Sequence, residues 1–114
     1  MEEKIIQLYE NINFLGFYTV DHQKRDYVNQ AKKLIPEIQA FTNWFLNGNN
    51  FGIEDNLYQA LTENLLDILR DCMLAFEQED RVLLLDALEY GIGEYLKMFL
   101  PDRYIEERNK VDEE

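Results

Sequence analysis

Four stretches of this chain repeat apolar residues at helical spacing, and very little interrupts them. Two prolines and five glycines are scattered through 114 residues. A set of short strands would need turn residues far more often, so the spacing predicts an all-α fold. The length suits one domain with one core, and the 46% hydrophobic fraction supplies that core. The expectation is an antiparallel four-helix bundle over residues 1–101, with short loops joining neighbours, and a charged, frayed tail over 102–114 whose first turn Tyr104 and Ile105 could anchor.

The first helix is placed at about 2–18, with Ile5, Leu8, Tyr9, Ile12 and Leu15 on one stripe and Glu2 and Glu3 at the positive end of the helix dipole. The second is placed at about 23–46, capped by Asp21, with Tyr27, Ala31, Leu34, Ile38, Phe41 and Phe45 facing inward and Val28, Ile35 and Leu46 flanking them. Pro36 falls opposite that stripe, so the helix is expected to bend there, with two shorter helices as the alternative. Asn47-Gly48-Asn49-Asn50-Phe51-Gly52 is the strongest loop signal. The third helix, about 54–77, carries Leu57, Leu61, Leu65, Ile68, Cys72 and Phe76, with Leu66, Leu69 and Met73 widening the stripe. The fourth, about 81–100, is capped by Asp80, carries Leu84, Leu85, Leu88, Ile92, Tyr95, Leu96 and Phe99, and is ended by Pro101.

Charge excludes one class of partner. The net charge is −12, against the basic footprint that phosphates demand, so no nucleic-acid role is expected. The asymmetry is sharp: six acids and five bases in residues 1–53, against seventeen acids and six bases in 54–114. No apolar run reaches the roughly 18 residues of a membrane helix. The opening Met1-Glu2-Glu3-Lys4 has none of a secretory leader's features. A single cysteine, Cys72, allows no internal disulfide, which makes a reducing cytoplasm the default compartment.

Catalytic and cofactor patterns fail one by one. The loop from Asn47 resembles a calcium hand at its first, third and sixth places, but Phe51 and Tyr58 occupy the fifth and twelfth. Gly91-Ile92-Gly93 lacks the third glycine and preceding strand of a dinucleotide fingerprint, so close helix packing is the expected use of these glycines, with an early end of the fourth helix and a short helix after it as the alternative. Glu63, Asp67 and Asp71, and Asp86 with Glu89, have helical spacing, yet Glu63 and Asp67 face outward and the only histidine, His22, falls in an expected loop. Only Asp71 and Glu89 could contribute to an inward metal site, so neither metal nor cofactor is expected. Cys72 lies on an apolar stripe, where a thiol is inert, and the chain contains no serine.

What remains is aromatic. Trp44 lies about 100° from its helix stripe on the wheel, and Phe14, Phe17, Tyr18 and Phe51 are likewise surplus to four simple stripes. These five residues are the candidate interaction surface. The residues Glu77-Gln78-Glu79-Asp80-Arg81-Val82-Leu83-Leu84-Leu85-Asp86-Ala87-Leu88-Glu89-Tyr90 resemble the turn and helix start of small uncharacterised bacterial helical proteins, a likeness that implies no activity. Size and expected architecture are similar to the flagellar four-helix export chaperones at the level of fold alone. The leading expectation is a non-enzymatic adaptor or chaperone-like protein that binds a protein partner or a second copy of itself. A metal-dependent hydrolase with acids inside the bundle is the first alternative, and an acidic inhibitor or immunity-type protein the second.

Overall fold

The computed structural model describes the backbone of residues 1–21 and 27–113, and the side chains of 1–15 and 27–107. Every regular element among them is a helix. In chain order these are α1 (Glu2–Asp21), α2 (Tyr27–Lys32), α3 (Ile35–Leu46), α4 (Asp55–Gln78), α5 (Arg81–Leu85), a π-helical segment (Asp86–Ile92), α6 (Gly93–Lys97) and α7 (Asp102–Glu113). No helix among the described residues is long and apolar enough to cross a membrane.

The expected bend at Pro36 is instead a break two residues earlier. Proline at position 36 cannot donate to the carbonyl of residue 32, and its ring crowds that oxygen. Accordingly α2 stops at Lys32, a turn follows in which Lys33 and Leu34 N–H donate to Gln30 and Ala31 carbonyls, and α3 restarts with Pro36 in its first turn. There a missing donor costs nothing.

The corner between α4 and α5 is built by two adjacent residues. Glu79 takes the left-handed conformation at φ 52°, and Asp80 N–H reaches back to the Ala75 carbonyl, closing the end of α4. Asp80 then caps α5, its carboxylate accepting from Leu83 N–H at 3.1 Å.

Residues 81–97 form one unbroken rod, with right-handed backbone through both joints of the π segment. Gly93 N–H donates to the Leu88 carbonyl five residues back, and a Cβ at Gly93 would stand 3.1 Å from that oxygen. Two residues earlier, a Cβ at Gly91 would lie 2.6 Å from Ile68 Cγ2. Glycine here lets the rod press directly on α4.

The rod is the common neighbour of the fold. On one side α1 touches α6 and the π segment; on the other, α4 touches α5 and the π segment, while α2 and α3 pack along α1. Ile5, Leu8 and Ile12 of α1 meet Tyr27, Phe41, Phe45, Leu65, Leu84, Leu88, Ile92 and Leu96 in one core. The molecule is a slab of 43 × 40 × 19 Å, its short dimension about two helix diameters.

The tail beyond Pro101 continues as α7, and its first turn is anchored on α1 through Tyr104, one of the two residues expected to hold it. Tyr104 stands edge-on to Tyr9 at 6.4 Å and donates to Glu10, while Arg103 pairs with Glu2 at 2.8 Å. Each polar link is solvent-exposed and worth little alone.

Candidate functional site

The surplus rings divide. Phe51, delivered by the loop after α3, stacks on Phe45 at 5.3 Å and meets Trp44 edge-on at 5.1 Å. Phe99, just past α6, meets Trp44 edge-on at 5.1 Å as well. Tyr58 joins from α4, its hydroxyl donating to the Phe45 carbonyl at 2.6 Å, and Tyr95 completes the corner against Phe45 at 5.7 Å. The Tyr95 hydroxyl is held in turn, donating to Leu61 O and accepting from Asn64. Trp44 and Phe51 are thus brought together as half-buried parts of an aromatic corner that edges the core. Phe14 stands exposed on α1. The side chains of Phe17 and Tyr18 lie outside the described residues, as does His22.

The loop is shaped to deliver Phe51. Gly52 adopts φ 73°, a left-handed turn that side chains resist, and the Asn49 amide donates both to the Ile53 carbonyl and to Asp55.

Beyond this corner α3 and α4 leave a groove of about 230 Å³ between them. Its lining from α3 is Ile35, Ile38, Gln39, Thr42 and Asn43; from α4 it is Leu69, Cys72, Met73 and Phe76. None of these carries a charge. Ile38, Thr42 and Cys72 are buried and form the floor; Ile35, Leu69 and Phe76 are half-buried walls; Gln39, Asn43 and Met73 form the exposed rim. The one hydroxyl on the floor is already satisfied, because Thr42 Oγ1 donates to the Ile38 carbonyl at 2.8 Å. What the floor offers a visitor is therefore hydrocarbon and sulfur. The open strip continues along α4 through Leu66, one heptad before Met73, which is 69% exposed.

The titratable groups near this seam are muted. Burial, reinforced by the charge of Asp71, pushes the Cys72 thiol up to about 12, so it stays protonated and unreactive. Tyr27 is fully buried with no partner for its hydroxyl, and burial, then Glu89 and Cys72, raise it above the usual phenol value. Burial also raises Glu89. Among the described residues no three His, Cys, Asp or Glu side chains gather closely enough to hold a metal ion. Asp71, one of the two acids read as possible inward ligands, is exposed; Glu89 is half-buried. The chemistry this arrangement offers is burial of apolar surface.

The groove was not singled out from sequence. Its signal was present as excess width, since Ile35, Leu69 and Met73 all flank their stripes. On one helix wheel such residues cannot be told from core. The chain matches no family model, and comparison with curated proteins and with solved structures finds no similar protein.

Proposed function

We propose that this chain is a non-enzymatic interaction protein whose binding face is the α3–α4 groove and the open strip of α4 beside it. In this proposal α1, α2–α3, α4 and the α5–α6 rod serve as the four staves of an antiparallel bundle in which one seam is incompletely filled. The observation that carries it is the groove: an uncharged lining with a buried floor, flanked by an exposed Met73 and Leu66. Helices whose apolar face is left uncovered mark partner sites. The occupant is a protein helix or a second copy of the chain, and not nucleic acid, given the net charge of −12. The lone protonated thiol suits a reducing compartment such as the cytoplasm.

A photo-crosslinking residue at position 73, with one at position 82 as control, tests the proposal in the producing cell. Val82 is equally exposed but lies on α5. A discrete adduct at 73 alone, whose identified partner rebinds the purified chain and loses binding on Met73→Lys, is the expected result. No adduct at 73, with a monomer by light scattering, overturns it.

A further inference from the structure

We infer that the groove takes a cationic amphipathic helix about two turns long from another protein. This rests on the interaction reading above and names the class of partner.

The shape selects a helix. On α3 the lining residues Ile35, Ile38, Gln39 and Thr42 are spaced i, i+3, i+4, i+7; on α4 Leu69, Cys72, Met73 and Phe76 repeat the same spacing. Two such rows side by side are the ridges into which a third helix packs. Each row spans eight residues, about 12 Å at the helical rise, which is a little over two turns. The backbone of α3 and α4 is committed to its own helices, so an extended strand would find no ladder to join. A helix arrives with its backbone already paired and needs only apolar anchors, at the same i, i+3, i+4, i+7 positions.

Charge selects the sign. Along the outer edge of α4, Glu63, Leu66, Arg70, Met73 and Glu77 follow one line, with an acid at each end. The one base on that line, Arg70, pairs with the neighbouring Asp67 at 3.0 Å. Lys32 and Lys33, just before Ile35, are the opposing charges at the start of α3. At the groove itself these charges balance, Glu63, Asp67 and Glu77 against Lys32, Lys33 and Arg70; the excess is the chain's net charge of −12, which acts at longer range. An uncharged groove on a chain of net charge −12 favours a helix with an apolar face and a lysine- or arginine-rich back. The same charge opposes a second copy, since each would bring −12 to the contact.

The test uses the full chain and two synthetic helical peptides sharing one leucine face. One carries lysine and arginine on its polar face, the other glutamate. Fluorescence anisotropy should show the cationic peptide binding about tenfold or more tightly than the acidic one, and weakening several-fold as salt rises. Met73→Lys places a charge on the exposed rim and should weaken the cationic peptide about tenfold, with Tm unchanged. Val82→Lys, adding the same charge elsewhere, should leave affinity within about twofold.

Three results overturn the inference, and they separate it from its premise. Equal binding of both peptides, abolished by Met73→Lys, keeps a docking groove but removes its selection for cations. A dimer that Met73→Lys converts to monomer makes the occupant a second copy. Binding of neither peptide by a monodisperse monomer removes the docking groove altogether.

Discussion

Leu65 and Leu66 are adjacent on α4, and their fates are opposite. Leu65 is fully buried, while Leu66 is 38% exposed. The side of α4 holding Leu65, Ile68 and Ala75 is pressed against the rod so closely that Gly91 cannot carry a Cβ without displacing Ile68. On the other side, Leu69 and Met73 line the groove and Leu66 lies on the open strip beside it. The two sides are alike in residue type. Burial here is decided by what the neighbouring element can reach, and α3 is tied to α4 at the aromatic corner, where Tyr58 and Phe51 bridge the pair. In a slab two helices thick, an amphipathic helix with a broad apolar face has too few neighbours to cover it.

The covered side should respond most strongly to truncation. Leu65→Ala removes a fully buried side chain and is expected to cost about 2–5 kcal/mol, depending on how far the site collapses. A urea melt would show a lowered midpoint with an unchanged slope. A loss below about 1 kcal/mol would mean that α4 does not seat on the rod as described.

Next in size is Gly91→Ala. The added carbon would sit 2.6 Å from Ile68 Cγ2 and 3.3 Å from Cγ1, so either Ile68 shifts or the rod lifts from α4. We expect a cost of about 1–3 kcal/mol. Adding Ile68→Ala should recover part of it, because the clash partner is gone. Strict additivity of the two losses, measured by a double-mutant cycle, would place the strain elsewhere.

These contrasts also show which parts of the fold were legible in sequence. The stripes of Ile5, Leu8 and Ile12, and of Leu84, Leu88 and Ile92, are buried as helical periodicity requires. Asp80 caps its helix as its residue type and position suggest. Trp44 was not readable, because what covers it is Phe51 from a loop and Phe99 from beyond α6, and no wheel drawn for one helix contains either. The π turn was hidden for a similar reason: its signature is a hydrogen bond from Gly93 to Leu88, and glycine in a helix has other uses. In the charged tail Tyr104 was legible as an anchor, but its partner Tyr9, about 95 residues earlier, was not. The groove was least legible of all. A missing neighbour leaves no mark on the residues that would have touched it.

A smaller effect should come from Glu89, whose carboxyl is drawn partly into the rod side near Tyr27. Burial raises it above the ordinary 4.5, so the folded chain holds this proton to higher pH than the unfolded chain does. Charging it therefore penalises the fold. The penalty is absent well below the ordinary carboxylate value, grows as pH rises through it, and is complete above the raised one. Glu89→Gln cannot charge and should be more stable than the parent near neutrality, with the difference fading toward about pH 4. Paired urea midpoints at the two pH values measure this. A parent more stable than the variant near neutrality would show that the carboxylate has a stabilising partner.

The smallest effect is expected on the open side, and it separates a groove from a poorly packed core most directly. Met73 is more than two-thirds exposed, so Met73→Ala removes little buried surface and should change stability by no more than about 0.5 kcal/mol. In a molecule whose groove closes in solution, Met73 would bury its thioether against Ile35 or Phe76, and the same truncation would cost on the order of 2 kcal/mol. The urea midpoint distinguishes these outcomes without any ligand. Paired with the cationic peptide, the variant gains a second use: an apolar rim that contributes nothing to folding but strengthens binding must do its work only when the groove is filled. Stability unchanged and affinity reduced together identify Met73 as surface kept for a partner. Loss of both would return it to the core.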